Sequence, residues 1–238
     1  MKSIQVVTPV KDSIDTALQT IDAVLASEVT VPMTLFVYND NSTPENSELL
    51  KRMSIEKGFE LINLSDLTSH PSPNYLTVLQ TTQKKALADD AALIIVESDV
   101  VVARNTLQAL FDGAAQRPDC GIAAAVTVDE SGRINYPYKK FQGQENRVID
   151  TRQHCSFCCS LLSPALLGSY SFDRLNPDKH WYDVTISHAS LDCGLHNYLF
   201  TNIPVIHRPH SSRPWKQLKY TNPIKYYWRK FTKGFDKI

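Results

Sequence analysis

The sequence predicts a single α/β domain with a mostly parallel sheet flanked by helices. Three observations carry this. Along the N-terminal half, β-rich runs alternate with runs patterned for helix, the βαβ order of a parallel sheet. The chain has 238 residues, 42% hydrophobic and 21% charged, enough to bury the core of one sizeable soluble domain. The run Leu93–Val102 places apolar β-formers on either side of two acids, as a buried strand does when its carboxyl end meets a polar site. No internal repeat or linker divides the chain, so residues 1–215 are expected to form the domain and residues 216–238 a basic, aromatic tail.

Each element follows from its local pattern. Ile4–Thr8 is a short β-rich run ending at Pro9. Asp12 or Ser13 caps a helix to about Leu25, with Ile14, Leu18, Ile21 and Leu25 at helical spacing. Met33–Tyr38 is a second strand, stopped by the turn-formers Asn39-Asp40-Asn41-Ser42. Pro44 suits the first turn of a helix running to about Lys57. Phe59–Leu64 is a third strand, Ser65–Asn74 a polar loop, and Tyr75–Leu87 a helix leading to the strand at Leu93. A helix over about Asn105–Ala115 and a strand over Gly121–Val128 follow. Asp129–Arg152 is polar and irregular and is expected to be a long loop or hairpin over the site. Phe157–Leu162 reads as a strand, Pro164 opens a turn of helix, and Asp183–Cys193 is a helix stopped by Gly194. The last strand is expected near Ile203–Ile206, ending at His207.

Composition excludes several classes. Basic and acidic residues balance at 25 each, unlike a general nucleic-acid binder. No apolar stretch is long enough to span a bilayer, and Met1–Ile4 enters a strand pattern without a signal-peptide core, so a cytoplasmic location is expected. The turn Thr8–Asp12 lacks the glycines of a dinucleotide fingerprint or phosphate-binding loop, and no Gly-x-Ser-x-Gly elbow occurs. The cysteines are Cys120, Cys155, Cys158, Cys159 and Cys193, an odd number without a disulfide pattern. His154–Cys159 holds zinc-ligand residue types, but in a strand Cys158 and Cys159 would face opposite sides of the sheet. Small buried thiols are the expected reading.

Four segments carry chemistry. Glu97 and Asp99 leave the buried strand one residue apart, which is costly unless the charges meet a cation. Carboxylate and phosphate oxygens together suit Mg²⁺ or Mn²⁺, while the bland reading is a strand end with two solvated acids. Asn39 and Asp40 can hydrogen-bond a nucleobase or simply make a turn. In His180-Trp181-Tyr182-Asp183, Asp183 either caps a helix or takes a proton from an alcohol, with Trp181 and Tyr182 as an apolar wall for a sugar. Finally, His207, Arg208, His210 and Arg213 offer imidazoles for a divalent ion and guanidiniums for diphosphate oxygens.

In their order along the chain these segments resemble family 2 glycosyltransferases of the GT-A fold. Val6–Asp12 is similar to that family's opening strand and turn, and Val37–Thr43 to its Asp-Asp-Gly-Ser-Thr nucleotide segment. Val96-Glu97-Ser98-Asp99 falls at its D-x-D metal motif, Ser171-Phe172-Asp173 and Tyr182-Asp183-Val184 at its Gly-Phe-Asp and Glu-Asp-Val blocks, and Ile203–His207 at its terminal strand and histidine. The resemblance spans about residues 4–212 and implies a Rossmann-like GT-A domain. It implies inverting transfer from a nucleoside-diphosphate sugar to a hydroxyl acceptor, in cell-surface glycan synthesis. Glu97, Asp99 and His207 would hold Mn²⁺ or Mg²⁺; Thr8, Pro9, Asn39, Asp40, Ser98 and Arg213 would contact the donor; Asp183 would be the general base. Asn39, Glu97 and Tyr182 each replace an acid of the family pattern, as a non-catalytic GT-A-like protein that binds nucleotide or a partner would also show. A nucleotidyltransferase shares the fold class but needs a phosphate loop that Thr8–Asp12 lacks.

The tail carries Lys219, Lys225, Arg229, Lys230, Lys233 and Lys237 against Asp236, interleaved with Tyr220, Tyr226, Tyr227, Trp228, Phe231 and Phe235. Such a stretch either lies in an anionic membrane interface or packs as a helix on protein. With the glycan or lipid-linked acceptors of the family, the first reading implies a peripheral position at the inner membrane face.

Overall fold

A computed structural model describes residues 1–178, 181–208 and 222–232, with only the backbone of 229–231. Its elements, in order, are β1 (Ser3–Val10), α1 (Ile14–Leu25), β2 (Met33–Asn39), α2 (Pro44–Lys57), β3 (Glu60–Asn63), α3 (Tyr75–Ala88), β4 (Ala91–Val96) and β5 (Val100–Val101). There follow α4 (Thr106–Ala115), β6 (Cys120–Val128), β7 (Val148–Asp150), β8 (Cys159–Leu162), α5 (Pro164–Ser169), α6 (Tyr182–Asp192), β9 (His196–His207) and α7 (Pro223–Thr232). The boundary expected at residue 215 lies outside the described residues.

The strands form one sheet in the order β3-β2-β1-β4-β8-β6-β9-β5, with β7 paired to β9. Its long ladders, β1–β2, β1–β4 and β6–β9, are parallel. The shorter ones made by β5, β7 and β8 are antiparallel. Alternation along the strands sends side chains to two cores. Val6, Ile94 and Val96 pack with α1, α2 and α4 on one face. Val7, Leu93 and Ile95 pack with α3, α5 and α6 on the other. All six residues of β4 are buried, as a central strand covered on both faces requires. Each of its Leu, Ile and Val side chains stabilises the fold by about 1.5–3 kcal/mol.

The first strands are ordered 3-2-1-4, so the chain reverses direction across the sheet between β1 and β4. Parallel α/β sheets open a crevice at the carboxyl ends of the strands at such a switch point. Val7 pairs with Ile95, so the turn after β1 and the acids after β4 flank one crevice.

Several boundaries differ from the sequence reading. β1 runs on to Val10, because β2 pairs with it that far and Asp40 N donates to the Val10 carbonyl at 2.8 Å. Ser13, not Asp12, stands at the N-cap of α1, its carbonyl accepting from Ala17 N at 3.1 Å. Both have positive φ (51° and 49°), and Ser13 makes no side-chain capping bond. The strand before the acids ends at Val96 and the acids stand in a turn, as expected, with Val100 N donating to the Glu97 carbonyl at 3.1 Å. β9 is far longer than Ile203–Ile206, because β6, β7 and β5 pair with successive parts of it. The segment after Asp129 is anchored: Ile134, Tyr138 and Phe141 are buried, and β7 lies within it. Gly194 ends α6 at φ 76°, as expected. Gly121 lets that helix close on β6, since a Cβ there would lie 1.9 Å from Ser190 Oγ.

Candidate functional site

The site begins at the Glu97–Asp99 turn. Glu97 N donates to the Cys158 carbonyl at 3.0 Å, extending the β4–β8 ladder by one step. The chain then turns, and Val100 pairs with His207 at the end of β9. Arg208 N donates to the Asp99 carbonyl at 3.0 Å. Three segments distant in sequence are thus locked by backbone bonds around one spot.

His207 is buried, and its ring is fixed at both ends. Nδ1 lies 2.9 Å from the Tyr136 carbonyl, which can only accept, so Nδ1 carries the hydrogen. Nε2 then faces Asp99 Oδ2 at 3.6 Å and Cys158 Sγ at 4.0 Å. A backbone carbonyl holding the far nitrogen is the usual support of a metal-binding imidazole. Burial pulls the His207 pKa down, but the bond and charge of Asp99 outweigh it and leave the pKa above the ordinary value. Cys158 Sγ sits 3.5 Å from Glu97 Oε2, and burial, followed by the Glu97 charge, pushes the thiol well above its usual range. The ligand atoms of Glu97, Cys158 and His207 all lie within 4.8 Å of one another. With Asp99 beside His207, this set of carboxylate, imidazole and thiol donors fits a divalent cation.

Asp183 stands in the first turn of α6, half-buried, where the helix dipole favours a carboxylate. It is not the N-cap; Trp181 is. Tyr136 ties it to the cluster. The tyrosine's pKa is raised by burial first, then by the charges of Asp183, Cys158, Tyr226 and Glu97. The residue whose carbonyl fixes His207 is therefore within electrostatic reach of Asp183, Glu97 and α7. Asn135 Nδ2 adds a bond to the His207 carbonyl at 3.0 Å.

On the β1 side, Thr8 is fully buried, with no hydrogen-bond partner for Oγ1 among the described residues, and Pro9 is half-buried. Asn39 spends its amide inside the protein: Nδ2 donates to Ser47 Oγ and Asn63 Oδ1, and Oδ1 accepts from Ser42 N. Asp40 is buried and accepts from Ser72 Oγ, Asn74 N and Asn74 Nδ2 at 2.8–2.9 Å. These bonds shape an open groove of about 530 Å³ lined by Lys11, Asn41, Ser65 and Thr68–Ser72, a size that suits a small ligand.

Ser98 is half-buried in the acid turn. Arg208 is engaged by Glu130 Oε1 at 2.5 Å and by Gln19. Arg213, His180 and His210 lie outside the described residues. Tyr182 is no sugar wall: it is buried, its ring 6.2 Å from that of Tyr75. Trp181 is half-exposed.

The reading of the cysteines needs correction. Four of the five thiols are buried, as expected, and Cys193 is exposed. But β8 starts at Cys159, so Cys158 sits in the turn before it and packs in the same core cluster as Cys159. Strand alternation does not apply to it, and it meets Glu97 and His207. Neither spacing nor periodicity signals that meeting, nor the part of Tyr136, because both depend on which strands pair.

No protein-family model and no curated protein matches the sequence. Solved structures do. Residues 1–349 of TarS from S. aureus align with TM-score 0.57 and 15% identity over 88% of this chain and 59% of that one. The same protein in complex with UDP-GlcNAc aligns at 0.64, with 12% identity over 95% and 64%. The mannosyltransferase PcManGT from Pyrobaculum calidifontis, in complex with GDP-Man and Mn²⁺, aligns at 0.62, with 12% identity over 96% and 64%. The chain thus spans less than two thirds of the length of these structures. At these identities the likeness is one of fold: the chain has a GT-A-type glycosyltransferase fold.

Proposed function

We propose that the protein is a glycosyltransferase that moves a sugar, with inversion, from a nucleoside-diphosphate sugar to a hydroxyl of a glycan or lipid-linked acceptor. One observation carries the reading. At the β1/β4 switch point, Glu97, Asp99 and a carbonyl-anchored His207 converge. The fold shared with structures holding UDP-GlcNAc and GDP-Man supports it.

In this reading Glu97, Asp99 and His207 would hold Mn²⁺ or Mg²⁺, which neutralises charge on the departing diphosphate. The nucleoside occupies the groove beside Lys11 and Asn41, where Asn39 and Asp40 act by holding its walls. Pro9 and Ser98, both half-buried, would line the crevice between groove and acids, whereas the full burial of Thr8 leaves it a packing part there. Asp183 accepts the acceptor's hydroxyl proton as that oxygen bonds to the anomeric carbon. On the opposite face the bond to the diphosphate breaks, and its electron pair leaves with the nucleoside diphosphate. α7 carries exposed apolar and basic side chains beside this site, which suits an acceptor held at an anionic membrane surface.

The test is a panel of nucleoside-diphosphate sugars assayed for donor hydrolysis and for transfer, with Mn²⁺, on wild type and Asp183→Asn. A positioned base contributes ~10²–10⁴-fold, so the variant should lose about that much transfer while binding nucleotide as before. Near-normal transfer by the variant removes Asp183 as base. Binding without any turnover in wild type favours the non-catalytic alternative.

A further inference from the structure

We infer that Cys158 is a further protein ligand of the cation, beside Glu97, Asp99 and His207, so that the seat is a mixed oxygen, nitrogen and sulfur site preferring thiophilic ions such as Zn²⁺ to Mn²⁺ or Mg²⁺. This rests on the reading that Glu97 and His207 hold a cation. The distances carry it. Sγ lies 3.5 Å from Glu97 Oε2 and 4.0 Å from His207 Nε2. Ligands about 2.0–2.3 Å from a tetrahedral ion stand roughly 3.5 Å apart, so these donors need little movement to close on one.

The framework is set before any ion arrives. Glu97 and Cys158 are clamped by the bond from Glu97 N to the Cys158 carbonyl, and His207 is registered against Val100. The Tyr136 carbonyl takes the far imidazole hydrogen, turning Nε2 toward the sulfur. Ser156 Oγ, 3.3 Å from Sγ, can donate to a thiolate. Binding displaces the thiol proton to solvent, and the metal–sulfur bond replaces the S–H bond. With Asp99 beside His207 as well, a shell expanded to five positions, as catalytic zinc allows, keeps one for a diphosphate oxygen. Sulfur favours the softer ion, and zinc already outranks manganese in divalent affinity.

The competing account is that Cys158 merely fills the core. Co²⁺ titration of the full chain decides between them. The inference expects a thiolate-to-cobalt charge-transfer band in wild type that persists in Cys193→Ser and vanishes in Cys158→Ser. Mn²⁺ binding, followed by the electron paramagnetic resonance of free Mn²⁺, should survive in Cys158→Ser, while the advantage of Zn²⁺ over Mn²⁺ falls at least about tenfold. The wild-type band is a test even if the variant fails to fold. Co²⁺ bound without the band overturns the inference and leaves the glycosyltransferase reading standing. Wild type that binds neither Co²⁺ nor Mn²⁺, with or without nucleotide, overturns both.

Discussion

At the residue scale, Asp12 shows how one side chain positions the crevice. Its carboxylate reaches across from the end of β1 to the start of α2, accepting from Thr43 N at 2.8 Å and Asn46 Nδ2 at 3.1 Å. The Thr43 bond, opposed by partial burial, holds the Asp12 pKa below the ordinary carboxylate value. A depressed pKa contributes stability above the unfolded value near 4, and that contribution is lost as pH falls through the folded value. Asp12→Ala is therefore expected to lower unfolding stability at neutral pH by about 1 kcal/mol, at the low end for a charged bond because the group is partly exposed. In urea titrations the gap to wild type should shrink as pH falls below about 4; a gap as wide at pH 3 as at pH 7 contradicts this. Asp12 was legible as a capping residue, but not the helix it serves. At its positive φ it bonds across to the start of α2, its own N donating to Ser42 Oγ and its carboxylate accepting from Thr43 N. The same holds at the acids: Glu97, Asp99 and His207 stood out in the sequence, whereas Cys158 joined them only through strand pairing.

At the scale of elements, legibility followed local signals. α1 lies where apolar spacing put it, with Ile21 buried and Ile14, Leu18 and Leu25 packed on the core, and β2 and α2 lie close to where the turn-formers and Pro44 bounded them. β7 and most of β9 were not legible, since their extent is decided by partners rather than by local pattern. α7 is an element whose own pattern points outward. Ile224, Tyr227 and Trp228, spaced to share one helix face, are 84%, 57% and 69% exposed. Lys225 is exposed too, and the sequence adds Arg229 and Lys230. Exposed apolar side chains with neighbouring cations suit an anionic interface. Co-sedimentation with phosphatidylserine-containing vesicles should fall several-fold for Ile224→Ser/Trp228→Ser, and wild-type binding should weaken with salt. Equal sedimentation of variant and wild type rules out docking through α7. No helix among the described residues is long and apolar enough to cross a membrane.

At the scale of the whole molecule, the function argued for rests on topology. The 3-2-1-4 order opens a crevice between β1 and β4, and the chain places a small-ligand groove on one side of it and the Glu97, Asp99 and His207 cluster on the other. The parallel class was legible from the βαβ alternation. The short antiparallel ladders, above all β8 between β4 and β6, were not, and β8 is the strand that brings Cys158 to Glu97. The central claim is that a cation at this edge anchors a nucleoside-diphosphate sugar. Calorimetry of UDP- and GDP-sugars with and without Mn²⁺, on wild type and Asp99→Ala, tests it most directly. The account predicts that at least one donor binds wild type only with Mn²⁺, and that Asp99→Ala weakens this binding tenfold or more. Donor binding indifferent to both Mn²⁺ and the loss of Asp99, or no binding by any donor, contradicts it.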